Sequence, residues 1–202
     1  MPARKELDGP PAVFVSAVEQ VRAARMRPEV ACEQMPAPQR IAPHSFAMTG
    51  DVVVGGEDLG AGRIVLLHDP SGNDAWHGTF RLVTFVRADV DPEMVTDPML
   101  PEVGWSWLVE ALATHGADYI AASGSVTTVR SEGFGGMSED GSSAQVEIRA
   151  SWTPVVKPGE PLTIGDHVSA WGDLLCTVAG LPPLAPGVIV MPNRRGGLDP
   201  RR

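Results

Sequence analysis

The segment from residue 78 to residue 136 passes from a strand pattern to an acidic loop, then to a helical pattern and back to a strand pattern. This succession constrains the fold more than any other feature. From Thr79 to Ala88, apolar, β-branched and aromatic residues occupy both faces of an alternating pattern. Such a pattern is typical of a central strand that is covered on both sides at its middle. Residues 89–102 contain five acids and three prolines, so the strand must end there.

A helix and a second strand are predicted after this acidic loop. Four apolar residues recur at the spacing of one helical face: Trp105, Leu108, Val109 and Leu112. His115 and Gly116 are a favourable helix end. From Tyr119 to Arg130 the composition returns to that of a strand. The segment therefore combines both types of secondary structure within one core.

The remaining patterns complete the order helix, three strands, helix, two strands, helix. Further strands are predicted at 51–54, 63–68 and 144–152, with helices over 11–27 and after Asp166. Short turns connect most of the strands, so we predict a single α+β domain with a mainly antiparallel sheet of about five to six strands. This order is similar to that of type III secretion chaperones, an analogy that carries no function.

The two chain ends and one internal segment are predicted to differ from this core. Residues 1–10 are predicted to be disordered, 11–190 to form the domain, and 191–202 to be a basic flexible tail with four arginines and one aspartate. Residues 28–43 contain four prolines. They are predicted to be an extended linker that lies across the domain.

The charge and length of the chain exclude several classes of function. The 202 residues carry a net charge of −9, which repels phosphate, so direct nucleic-acid binding is not expected. No apolar run has the roughly 20 residues that span a bilayer. We therefore expect a cytoplasmic protein without membrane contact. The two cysteines form no CxxC pair, and no cofactor motif is present, so no cofactor is predicted.

The acidic loop allows three interpretations. Asp89, Asp91 and Glu93 alternate and would provide carboxylates for Mg²⁺ or Ca²⁺ at the end of a strand. Pro92 breaks the alternation, however, which favours a solvated loop over a metal site. The third interpretation is an acidic patch for a partner, formed by these three residues together with Asp97 and Glu102.

Histidine and serine residues give weaker indications of chemistry. His68 and His77 flank a turn and would need Asp74 as a third zinc ligand, so a structural role is favoured. Ser123 and Ser125 lie in a predicted strand outside any GxSxG motif, which favours packing or hydrogen bonding over catalysis.

Trp107 is the strongest indication of an interaction surface. It lies two residues after Trp105, and therefore about 200° around the helix from it. The two side chains cannot face the same core. We predict that Trp107 is covered either by the 28–43 linker or by a partner or second subunit.

Three segments resemble a known family: LHDPSGNDAWHGTFRLVTFVRADVDPEM, DPMLPEVGWSWLVEAL and SGSVTTVRSEGFGG. On these segments the chain is identified as a member of the actinobacterial domain of unknown function 3000 family, over roughly residues 40–185. The resemblance implies a cytoplasmic protein of an actinobacterium. It implies no activity and no functional residue. Members are encoded near a ribonuclease D-like protein, which implies a connection with RNA metabolism.

The sequence favours a non-catalytic protein-binding or adaptor domain that binds a protein partner or forms a homo-oligomer. The surface for this would contain Trp107 and the five acids of the 89–102 loop. One alternative is a metal-dependent hydrolase that uses the same acidic loop. The other is an accessory protein in RNA processing that acts through a protein partner, since the net charge opposes direct contact with RNA.

Overall fold

The structure, a computed structural model, describes residues 9–155 and 161–183. Its elements are α1 (Ala12–Ala23), β1 (Val30–Met35), β2 (His44–Val54), β3 (Glu57–Asn73), β4 (Gly78–Val90), a 3-10 turn (Met94–Thr96), α2 (Leu100–Thr114), β5 (Tyr119–Glu132), a second 3-10 turn (Gly135–Asp140), β6 (Ser142–Pro154) and α3 (Ile164–Val178). The predicted α+β class is confirmed. Residues 1–8 of the predicted disordered terminus and the predicted tail over 191–202 lie outside the described residues.

The six strands form one antiparallel sheet in the order β1-β2-β3-β4-β6-β5. Strands β2, β3 and β4 follow one another through hairpins, and β4 is therefore central, as predicted. Helix α2 then takes the chain past β6 to the edge of the sheet, where β5 begins. The β5–β6 hairpin returns the chain to β4, and β1 and β5 are the two edge strands.

The prediction of a linker over residues 28–43 is wrong for its first half. Residues 30–35 form β1, in which Val30 lies opposite Val52 of β2. The four prolines of the segment lie outside this strand, so each residue of β1 keeps an N–H group for pairing. The second half packs against the sheet, since Ala37 and Ala42 contact a small apolar cluster around Val65.

The three helices lie on one face of the sheet and bury the main core. α3 is the central helix, and its predicted core residues are all buried: Val168, Trp171, Leu175 and Val178. It approaches the sheet closely because Gly50 and Gly62 lie opposite each other on β2 and β3. A Cβ atom at Gly50 would lie 2.8 Å from Cη2 of Trp171, and one at Gly62 would lie 2.6 Å from Cδ2 of Leu175. This glycine pair therefore provides the depression that receives α3.

The prediction that β4 is covered on both sides at its middle holds only in part. Phe80, Leu82 and Val86 face the helices and are buried. Their alternating neighbours point away from the helices: Arg81, Val83, Phe85, Arg87 and Asp89. Val83 and Phe85 are only partly buried, and Arg87 and Asp89 are exposed. These residues belong to a partly open surface, which we call the helix-free face; Arg81 is buried there, and Val83 packs against the apolar cluster around Val65.

Candidate functional site

Three residues form a continuous row across the helix-free face. Phe85 of β4 lies opposite Arg63 of β3 and opposite Arg149 of β6. The guanidinium carbons of Arg63 and Arg149 lie 5.5 Å and 5.0 Å from the centroid of the phenylalanine ring. Both are cation–π contacts, which are stabilised by the negative face of the ring. We call these three residues the Arg–Phe–Arg row.

The row borders a groove with a volume of about 410 Å³. On the β5 side the groove is lined by small residues: Ser123, Gly124 and Ser125, with Ser151 from β6. No histidine or carboxylate is among the described lining residues. The groove therefore offers cations, hydroxyl groups and one aromatic ring to a ligand, but no general base.

A buried arginine lies beside the groove. Arg81 is 7% exposed and donates hydrogen bonds to Oγ of Ser151 (2.7 Å), Oγ1 of Thr153 (3.1 Å) and Oγ of Ser123 (3.3 Å). It also donates to the carbonyl oxygens of Ala121 (2.8 Å) and Ser151 (3.2 Å). Burial lowers the pKa of Arg81. No described carboxylate forms an ion pair with it, so its charge adds a positive field to the groove.

A local irregularity of β5 helps to hold Arg81. The pairing of β5 with β6 shifts register between Ile120 and Ser123. Within this bulge Ala121 has φ = 51°, a conformation that is costly for a residue with a Cβ atom. The bulge presents the Ala121 carbonyl oxygen to Arg81. Such strain persists only where the surrounding contacts hold it, and the hydrogen bond from Arg81 to the Ala121 carbonyl oxygen is one of these contacts.

The electrostatics of the row favour an anionic ligand. Nη2 of Arg149 lies 2.7 Å from Oε2 of Glu147, and the Arg149 side chain is 55% exposed. Arg63 is exposed and forms no ion pair with a described residue. With Arg81, the site carries three cations against one carboxylate. An arginine fork binds carboxylate or phosphate in a bidentate manner, so an acidic group fits this site.

The structure separates the predicted acidic residues. Asp89 lies on the helix-free face and accepts a hydrogen bond from Nε2 of Gln145 (3.0 Å). Asp91 and Asp97 accept hydrogen bonds from the backbone N–H groups of Glu93 and Met99, both at 2.8 Å. These two carboxylates therefore stabilise turns.

Glu93 and Glu102 complete the predicted acidic patch, and both are exposed. Glu102 lies in the first turn of α2, where its charge is favourable for the helix dipole. In the part of the chain that the structure describes, no group of three His, Cys, Asp or Glu side chains is arranged to hold a metal ion.

His68 has a structural environment. Its ring stacks on Phe80 with centroids 4.1 Å apart, and Nδ1 lies 2.9 Å from the carbonyl oxygen of Thr79, to which it donates when protonated. Burial lowers the pKa of His68. His77 is exposed and has φ = 57° in the turn. Phe80 faces the helices, so His68 belongs to the main core and not to a surface zinc site.

Trp107 is partly buried, and so is Trp105; both pack against the main core, so the prediction that the two side chains cannot face the same core is wrong. Trp107 also lines a groove of about 200 Å³ between α2 and α3, together with Arg27, Asp173 and Pro183. No described lining residue comes from the 28–43 segment. Cover of Trp107 by that segment, one of the two predicted alternatives, is not observed at this groove, and cover by a partner or second subunit stays a prediction.

Replacing Trp107 with alanine should destabilise the isolated protein by about 1–2 kcal/mol, because part of the ring contacts the core. Urea denaturation followed by circular dichroism measures this change. Val103, which is exposed on the same helix, provides the control, since Val103→Ala should change the stability by less than about 0.5 kcal/mol. Equal midpoints for Trp107→Ala and the wild type would show that the ring makes no stabilising contact.

The Arg–Phe–Arg row was not predicted from the sequence. The alternation of β4 places Phe85 on the same face as Arg81 and Arg87. This pattern was the one indication in the sequence of an aromatic ring among arginines. Arg63 and Arg149 are distant in sequence, and only the register of the sheet brings them beside Phe85. A single sequence does not specify that register.

Comparisons with known proteins agree with the resemblance found in the sequence. No curated protein and no solved structure matches the chain. No described helix is both long and apolar enough to cross a membrane. A family model described as "Protein of unknown function (DUF3000)" matches residues 10–189, which is most of the chain. The chain therefore belongs to the DUF3000 family.

Proposed function

We propose that the protein is a non-catalytic binding domain of the cytoplasm, which holds an acidic segment of a partner protein on the helix-free face of its sheet. The observation that carries this proposal is the Arg–Phe–Arg row, in which Phe85 lies between two guanidinium groups. The partner would bind through carboxylates to Arg63 and Arg149 and through apolar contact with the ring.

Charge complementarity supports an acidic partner. The chain has a net charge of −9, yet this face groups Arg63, Arg81 and Arg149 around one groove. Complementary charge fixes the orientation of a partner and raises the rate of association. Aromatic and arginine residues are also enriched at the centres of protein interfaces. A peptide with acidic side chains matches both features.

Other classes of function have less support. The groove holds serine hydroxyls but no described histidine or carboxylate that would activate them. A nucleic acid would require a longer track of cations, whereas Glu147 pairs with Arg149 and Asp89 lies on the same face. The hydrolase alternative loses support because Asp91 and Asp97 stabilise turns.

A peptide selection tests this function and does not require an identified partner. The full chain would be used to select binders from a library of random twelve-residue peptides displayed on phage. We expect enrichment of peptides with several Asp or Glu residues. Fluorescence anisotropy of labelled peptides would then give the dissociation constants. The variant Arg63→Glu/Arg149→Glu should bind the best acidic peptide at least about 10-fold more weakly, since each substitution replaces attraction by repulsion.

Arg25→Glu is the matched control, because Arg25 is exposed and lies beyond α1, outside the groove. It should bind the peptide as the wild type does, and melting temperatures would show that all variants are folded. Enrichment of peptides without acidic residues would contradict the proposal. So would equal affinities for the double variant and the wild type.

A further inference from the structure

We propose that the acidic segment binds as an additional β-strand along the outer edge of β5, with its acidic side chains directed across β5 to Arg149. This inference rests on the proposed function and specifies how the partner is held at Arg149. Arg63 on β3 lies roughly 19 Å from a strand added beyond β5 and contributes to its binding through the positive field alone. Strand addition is a common mode of peptide recognition, in which backbone hydrogen bonds give affinity and alternate side chains give specificity.

β5 provides a long free edge. It is the last strand in the sheet order and contains 14 residues. On its inner side it pairs with β6, and within the described ranges no strand pairs with its outer side. Most of its side chains are exposed. Unpaired N–H and C=O groups along such an edge are a template for another strand.

This edge lacks the usual protection against strand pairing. The seven residues from Ser123 to Val129 contain no charge and no proline, although these are the features by which edge strands commonly avoid association. Charged residues appear only at the far end, at Arg130 and Glu132, and the bulge at Ala121 lies at the near end. The uncharged part of the edge is also the part that borders the groove.

The small residues of β5 leave space between an added strand and Arg149. Ser125 lies directly opposite Arg149 on the helix-free face. Neighbouring strands are about 4.8 Å apart, so an added strand would lie about 10 Å from β6. The Arg149 guanidinium lies over the Phe85 ring on the β4 side of β6, so it must leave this ring and turn across the short side chains of Ser123 and Ser125 to meet a glutamate on the added strand. A larger residue at either serine would block that path.

A second copy of the chain is a poorer occupant of this edge. The residues of β5 that share the face of the row are Ser123, Ser125, Thr127, Val129 and Ser131, as their pairing with β6 shows. None of them has a carboxylate. Two β5 strands paired about a two-fold axis would therefore place uncharged side chains beside Arg149. Single-stranded RNA would supply phosphates, but it lacks the alternating backbone groups that pair with a strand edge.

Amide hydrogen exchange tests the inference directly. The ¹⁵N-labelled full chain would be measured by NMR with and without the best acidic peptide from the library. We expect exchange to slow by about 10-fold or more at alternate residues between Ser123 and Arg130, because every second N–H group faces outward. A ten-residue oligouridylate and the protein alone at high concentration would serve as comparisons.

A pair of proline variants adds an independent measurement. Consecutive residues direct their N–H groups to opposite edges of a strand. One of Thr127→Pro and Thr128→Pro therefore removes an N–H group that points outward from β5, whereas the other removes one that points toward β6. The variant that loses the outward N–H group should keep the melting temperature of the wild type and lose peptide binding by about 10-fold or more. If neither variant folds, the exchange measurement decides alone.

The outcomes separate the two proposals. Peptide binding that depends on Arg63 and Arg149 but leaves the exchange of β5 unchanged would overturn the strand addition and leave the proposed function intact. The failure of every acidic peptide to bind would overturn both proposals. Slower exchange in β5 caused by the oligouridylate, or by self-association without peptide, would overturn the choice of occupant.

Discussion

Replacing Trp171 with alanine should lower the free energy of unfolding by about 3–5 kcal/mol, as for other fully buried large side chains. The Trp171 side chain is 0% exposed and lies over Gly50, where the sheet admits no side chain. Its Nε1 atom has no hydrogen-bond partner among the described residues. The expected loss therefore comes from apolar burial and from the cavity that remains, and not from a hydrogen bond.

Urea denaturation measures this loss as a decrease in the midpoint at an unchanged slope. Trp107→Ala is the matched control, because it removes the same number of atoms from a ring that is only partly buried. Its cost should be the smaller of the two. A loss below about 1 kcal/mol for Trp171→Ala would contradict the position of α3 on the Gly50–Gly62 pair.

The stability of the protein should fall by up to about 3 kcal/mol as the pH decreases from about 6.5 to about 4, because of His167 alone. Its Nδ1 atom accepts a hydrogen bond from Nε1 of Trp152 at 3.1 Å, so the imidazole is neutral in the core. Burial lowers the pKa of His167 from 6.5 to about 4, although Asp118 opposes this shift.

The direction of the effect follows from proton binding. Below pH 6.5 the unfolded chain binds a proton at His167 that the folded protein excludes. The contribution of His167 to the free energy of unfolding is therefore complete above this pH and decreases on acidification. His68, whose pKa is also lowered by burial, acts in the same direction. Urea midpoints at several pH values measure the slope.

His167→Gln is the control, since glutamine keeps an acceptor for Trp152 but does not titrate. This variant should lose stability less steeply between pH 6.5 and pH 4 than the wild type. Identical slopes of stability against pH for the two proteins would show that His167 binds a proton in the folded protein as readily as in the unfolded chain.

The helical faces and the central strand were predictable because their signals are local. Phe14, Ala17, Val18 and Val21 of α1 recur at helical spacing and are buried, and β4 keeps its predicted central position. Such periods are set by residues that are close in sequence. The same reasoning failed for α2, where Trp105 and Trp107 lie two residues apart and both pack against the main core.

Features that depend on distant residues were not predictable. The proline content of residues 28–43 concealed β1, whose pairing depends on β2. The Arg–Phe–Arg row depends on the register of three strands. The acidic residues of the 89–102 loop are close in sequence, yet Asp91 and Asp97 only stabilise turns. Sequence proximity therefore points to this loop, which stays a prediction as a contact surface, whereas the register of the sheet points to the helix-free face.

A charge exchange between the row and its ligand tests the central claim most directly. Fluorescence anisotropy would compare the wild type and Arg63→Glu/Arg149→Glu, each with the best acidic peptide and with the same peptide carrying lysine at every acidic position. We predict that the wild type binds only the acidic peptide, and that the double variant binds the lysine peptide at least about 10-fold more tightly than the acidic one. An unchanged preference for the acidic peptide in the double variant would contradict recognition by Arg63 and Arg149.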